Sequence, residues 1–366
     1  MKNIVIISSI IFLFVFSIGF VYAQENDTET NDIETLFDKG NELTSLGKYQ
    51  EAIDISDEIL KLEPNNSIVL TYKGSMLYKL GKYQEAIEWH DKALEIEPNN
   101  TAILLSKGSI LYQLGKYEEA IEEYDKILDI EPFNAVTLSD KGHSLYQLGK
   151  YEDAIQLFDK ILRIYPNYTL ALEGKGTTLL ALGNNEEALK SYDAALKIEQ
   201  NDKKALFNNS ILLYNKGLTL FKLNQYNEAI DWYDKALELE PDYVDALTGK
   251  GSVLLFLGQY NEAIDWYDKA LEVEPNNVIA LTGKGVTLGA LGKYQEELKT
   301  YDKALELEPN YVDALYNKGQ LLSSLGKYQE AIELFNKILD SDSSDVGALS
   351  AKENALSMLN STNMVN

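Results

Sequence analysis

The sequence predicts an all-α fold, a superhelical α-solenoid of stacked helical hairpins, and three observations carry that prediction. A Lys-Gly pair recurs at Gly40, Gly74, Gly108, Gly142, Gly176, Gly217, Gly251, Gly285 and Gly319, and seven of the eight intervals are 34 residues. All seven prolines, from Pro64 to Pro309, stand 24 residues after one of these glycines. Within each period the apolar residues keep helical spacing twice. So long and regular a period belongs to a stacked array, in which each unit contacts only its neighbours.

The amino-terminal element is a leader. Lys2 precedes an uncharged run from Ile4 to Val21, and Val21 and Ala23 suit cleavage after Ala23, so residues 1–23 read as a signal peptide. The same run is just long enough to serve as an uncleaved single-pass anchor. Either reading puts the repeats outside the cytoplasm, secreted or at the cell surface, because Lys2 holds the short leading end inside. Residues 24–32 read as a polar linker.

The repeats fill residues 33–345. In the unit from Val278 to Tyr311, Leu281, Leu288 and Leu291 lie on one helix face until Gly292-Lys293-Tyr294 breaks the pattern. A second helix presents Leu298, Tyr301, Ala304 and Leu305, and Pro309 ends it, since proline cannot continue a helix and disfavours helical geometry just before itself. Twelve residues after each repeat glycine stands alanine, apart from Glu297, and nine after it tyrosine, apart from Asn185. Facing alanines let the two helices approach closely, and the tyrosines are expected to fill the space between hairpins.

These residues resemble the tetratricopeptide repeat family, whose glycine, tyrosine, alanine, aromatic and proline pattern recurs here in nine copies. The resemblance implies a right-handed superhelix, a partner groove on its concave side lined by first helices, and a closing solvating helix. Residues 346–360 fit that helix, and 361–366 are expected to be a disordered tail.

The departures cluster. Asn185 replaces a tyrosine, Gln200 replaces a proline, and seven residues are added before Gly217, within the stretch 203–216. Ser210 to Lys216 read as two duplicated helical turns, which predicts a longer first helix in the sixth unit, since seven residues keep a helix face in register. Glu297, in an alanine position, is expected to reach water.

Composition excludes whole classes of function. With 58 acidic and 33 basic side chains the net charge is −25, which repels phosphate backbones and argues against nucleic acid as a partner. Cysteine is absent, and the two histidines, His90 and His143, stand in no ligand spacing, so no catalytic residue, cofactor or metal site is expected. Aspartates 17 residues after the glycines and lysines just before them form two ladders, read as solvated faces with local ion pairs.

The partner groove implied by the resemblance falls on the residues three before, one after and four after each glycine. These are Thr71, Ser75 and Tyr78; Leu105, Ser109 and Tyr112; Ser139, His143 and Tyr146; and, further along, Tyr214 and Phe221. The tyrosines form either a strip for an extended peptide or a set packed on one another. Trp232 and Trp266 are a candidate outer ridge. Asn26, Asn65, Asn99, Asn167, Asn208 and Asn360 open Asn-x-Ser/Thr sequons, candidate N-glycosylation sites in an exported chain. The function expected is a non-catalytic scaffold outside the cytoplasm that binds a protein or peptide. The alternative is a cell-surface structural or polysaccharide-associated repeat protein.

Overall fold

The computed structural model describes residues 28–199 and 209–365. The signal peptide and its cleavage point at Ala23, the sequons at Asn26 and Asn208, Gln200, and the part of the expected insertion before Asn209 lie outside the described residues. The chain divides into two compact units at Asn201/Asp202.

The first unit holds five helical hairpins: α1 (Thr28–Ser45) with α2 (Tyr49–Leu62), α3 (Ser67–Lys79) with α4 (Tyr83–Ile96), α5 (Thr101–Gln113) with α6 (Tyr117–Ile130), α7 (Ala135–Gln147) with α8 (Tyr151–Ile164), and α9 (Thr169–Ala181) with α10 (Asn185–Glu199). The second holds four, α11 (Asn209–Lys222) with α12 (Tyr226–Leu239), α13 (Val244–Phe256) with α14 (Tyr260–Val273), α15 (Val278–Ala290) with α16 (Tyr294–Leu307), and α17 (Val312–Ser324) with α18 (Tyr328–Ser341). Helix α19 (Val346–Val365) packs on α18. Each unit is thus an all-α solenoid.

Local chemistry sets the helix limits. Each first helix ends at a residue in the left-handed region, glycine at eight junctions with φ of 71–78° and Asn224 at the ninth with φ 60°. There the next amide reaches back, as Lys82 N–H does to the Leu77 carbonyl at 2.9 Å, satisfying a terminal acceptor. Seven of the nine second helices close before proline, and at four of the junctions that follow an asparagine (Asn66, Asn100, Asn134 or Asn277) caps the next first helix, as when the Asn66 side chain accepts from the Val69 N–H at 3.1 Å.

Packing follows the period. The alanines twelve residues after the repeat glycines, such as Ala52, Ala120, Ala229 and Ala331, are fully buried. From Gly108 onward the repeat glycines admit a tyrosine or phenylalanine ring from the same hairpin: a Cβ at Gly108 would lie 2.5 Å from Tyr124 Cε1, and one at Gly319 would lie 2.6 Å from Phe335 Cε1. Tyr124, Phe158, Tyr192, Tyr233, Tyr267, Tyr301 and Phe335 share this position, 16 residues after the glycine, and are the largest buried side chains. They fill the space between the two helices of a hairpin, while Tyr49, Tyr83 and Tyr117, nine residues after their glycines, are partly buried against the edge of the core.

Three expectations about boundaries change. Helix α1 already includes Thr28 to Asp32, inside the stretch read as linker. Helix α19 runs to Val365, through most of the expected tail. Ser210 to Lys216 are the ordinary start of a first helix: Ser210 donates to Glu240 at 2.8 Å, as Ser67 does to Glu97 and Thr101 to Glu131, each 30 residues on. The seven added residues therefore precede this segment.

Candidate functional site

The first-helix face carries the groove candidates, and the structure treats them unequally. Tyr78 and Tyr146 are half-buried, each paired in its own hairpin with the tyrosine that opens the second helix, Tyr83 and Tyr151, at ring separations of 5.5 Å. Tyr112 pairs likewise with Tyr117 but is only 6 % exposed, and its hydroxyl accepts from Gln147 Nε2 at 3.3 Å. The middle of the expected strip is therefore recessed, because Gln147 of the next unit covers it.

The small hydroxyl residues are engaged locally. Thr71, Ser75 and Ser109 each donate to the carbonyl four residues back, on Ser67, Thr71 and Leu105, at 2.8–3.0 Å. They keep acceptor lone pairs for a guest. Ser139 is buried, and His143 Nδ1–H donates to its carbonyl at 2.8 Å while the ring meets Phe158 edge-on at 5.3 Å. Burial holds His143 below its usual range. Leu105 is half-buried against the core.

One acid here escaped sequence reading. Asp140, two residues before Gly142, has its carboxyl pushed by burial up to about 7; burial also raises the hydroxyls of Tyr112, Tyr124 and Tyr168, and the Asp140 charge adds to that rise. The signal was available, since Ser106 and Gly174 hold this position in the flanking units.

In the second unit, Tyr214 packs on Tyr233 and Tyr243, while Phe221 joins Tyr226 and Phe256. Phe256 is 65 % exposed and lies 5.1 Å from Phe221 and 6.0 Å, stacked, from Tyr226. This aromatic patch extends the Phe221 candidate by a residue that period counting could have flagged, since other units place Lys79, Gln113 or Ser324 there.

The tryptophan ridge is covered. Lys216 and Lys235 stand over Trp232 at 3.6 and 3.7 Å, and Lys250 and Lys269 over Trp266 at 4.1 and 3.8 Å. The lysine before the repeat glycine also reaches back to the aspartate of the preceding hairpin, at 2.6 Å for Lys107–Asp91 and 2.7 Å for Lys175–Asp159. The ion pairs expected of the two ladders thus run between successive hairpins, with the aspartates still partly exposed.

Glu297 also departs from expectation. It is only 7 % exposed and turns inward, because Gly289 opposite it leaves the volume that a tyrosine or leucine fills in several other units. Tyr301 donates its hydroxyl to Oε1 at 3.2 Å, and burial raises the carboxyl. Asn65, Asn99, Asn167 and Asn360 are all exposed.

Tetratricopeptide repeat models match residues 99–167, 139–204, 210–243, 244–277, 266–299 and 300–333, together more than half of the chain. The chain belongs to the tetratricopeptide repeat family. A model of anaphase-promoting complex, cyclosome, subunit 3 also matches residues 45–127. No curated protein sequence matches the chain. Among solved structures, a tetratricopeptide repeat protein from Parabacteroides merdae is similar at 23% identity and TM-score 0.59, over 70% of this chain and 99% of that one. The APC/C hetero-tetramer Cut9-Hcn1 is similar at 19% identity and TM-score 0.59, over 84% of this chain and 59% of that one. At these identities both agree with the tetratricopeptide fold and carry nothing more.

Proposed function

We propose that this tetratricopeptide repeat protein is a non-catalytic scaffold, acting outside the cytoplasm, that binds an extended peptide or protein segment on its first-helix face. The observation that carries the reading is the half-exposed pair Tyr78 and Tyr146, each held by a second ring of its own hairpin. Rings braced in this way present apolar area and a hydroxyl with little rotamer entropy left to lose on binding. Between them, Ser75 and Ser109 keep acceptor lone pairs for the amides of an extended chain. The histidines serve packing: His90 is buried and His143 rests on Phe158.

Display selection of peptides on the purified chain tests the groove. Peptides selected on the wild type are expected to bind the Tyr78→Ala/Tyr146→Ala variant at least roughly tenfold more weakly, as loss of two central aromatic anchors implies. Binders indifferent to that change, or a selection that yields no peptide while the chain binds polysaccharides on a glycan array, would move the function off this face.

A further inference from the structure

Two departures from the repeat meet in the eighth unit. Twelve residues after its glycine stands Glu297 in place of alanine, and four after it stands Gly289, where other units carry Tyr78, Tyr112 or Leu255. The second makes room for the first: a Cβ at Gly289 would lie 2.6 Å from Glu297 Oε2. The carboxylate therefore passes between α15 and α16 towards the position that a groove side chain holds in the other units.

It arrives without a counter-charge. Oε1 accepts from Tyr301, but Oε2 is buried with no donor. Glu297 and Tyr301 line an open cavity of about 270 Å³ whose wall is completed by the polar Asn317, Gln320 and Ser324, by Tyr294 and Gly289, and by the apolar Val286 and Leu321. Gly289 and Gln320 occupy the groove positions four and one after their glycines, so the cavity lies on the first-helix face.

Its wall carries no lysine or arginine. Asn317 donates one Nδ2 hydrogen to the Asp313 carbonyl at 2.8 Å and Gln320 one Nε2 hydrogen to the Tyr316 hydroxyl at 2.9 Å, so each amide is held to its own helix through its nitrogen and keeps its carbonyl oxygen as an acceptor. What remains is rich in acceptors. The cavity is smaller than the ~300–1,000 Å³ clefts that hold whole small molecules, which suits one side chain.

Leaving a carboxylate oxygen buried and unpaired is costly, and a bound cation with hydrogen-bond donors removes that cost. We propose that this cavity receives an arginine side chain of the bound partner, its guanidinium donating to Glu297 Oε2. A planar group with five N–H donors and no acceptor fits an acceptor-lined, anionic pocket. The net charge of −25 favours a basic partner in the same sense. This inference rests on the first-helix face being the binding face.

Titration of the full, ¹⁵N-labelled chain with N-acetyl-L-arginine amide tests it. The expected result is saturable shifts of the Gly289 and Gln320 amides. These should be at least roughly tenfold weaker in affinity for Glu297→Gln, as removal of one partner of a charge pair implies, and absent with the uncharged isostere N-acetyl-L-citrulline amide. A double variant, Glu297→Ala with Gly289→Leu, restores the residues of other units, guards against misfolding and should bind neither probe. The proposal is overturned if arginine amide gives no saturable shift, if Glu297→Gln binds it unchanged, or if citrulline amide binds equally. The probe does not touch Tyr78 or Tyr146, so failure here and failure of the peptide strip are read separately.

Discussion

At the scale of single residues, the informative side chains are those that break the period. His90 holds the position that Tyr124, Phe158 and Tyr192 hold in the next units, with its ring against Gly74 and its Nδ1 buried without a partner. Burial lowers it from 6.5 to about 4, with the Asp91 charge opposing that shift and Lys107 adding to it. The sign follows directly. The unfolded chain takes up this proton first, so stability is unaffected above pH 6.5 and is lost as pH falls from 6.5 towards 4. Relative to a His90→Phe variant, which restores the aromatic, the wild type is expected to lose up to about 1.4 kcal/mol per pH unit across that window. Urea midpoints of the two proteins at pH 7, 6, 5 and 4 check this, and a constant gap between them would refute it. Sequence alone placed His90 in no ligand spacing; that it is a buried packing residue depended on the hairpin that encloses it.

At the scale of the element, the hairpin is a close approach of two helices that only small residues permit. Gly108 shows how close. An added methyl would stand 2.5 Å from a ring of Tyr124 that has no exposed surface into which to move. Gly108→Ala gains about 1 kcal/mol of helix propensity but incurs overpacking of about 1–3 kcal/mol, so the variant is expected to be less stable overall. Thermal melts decide it, and an unchanged or raised midpoint would mean that the ring yields. The glycine period was legible in the sequence, whereas its partner, the ring 16 residues on, needed the packed hairpin to be distinguished from the more regular tyrosine nine residues on. The same holds for the lysine–aspartate ladder. Its residues are periodic in the sequence, but the pairing of Lys107 with Asp91 across two hairpins depends on how neighbours stack.

At the scale of the whole molecule, export and partner binding are joined in one proposal, and the leader is the part that a simple measurement reaches. Expressed with its own first 23 residues in a secreting host, the chain is expected outside the cells beginning at Gln24, read by amino-terminal sequencing; retention in the cytoplasm would overturn the export reading. The candidate face was legible as a register, because counting from the glycine locates Tyr78, Tyr112 and Tyr146 equally. It was not legible as a surface, because Gln147 recesses Tyr112, Phe256 adds an aromatic that the register omitted, and Gly289 lets Glu297 turn inward. The sequence by itself determined the all-helical fold, the unit length, the hairpin turns and the order of the units, since these rest on local signals: glycine at positive φ, proline after a helix, and apolar residues at helical spacing. Only the tertiary structure decided which periodic residues are buried, which charges pair across units, and where a carboxylate lies without a partner. Those outcomes depend on volumes and distances between residues far apart in the chain, which periodicity along one strand of sequence does not encode.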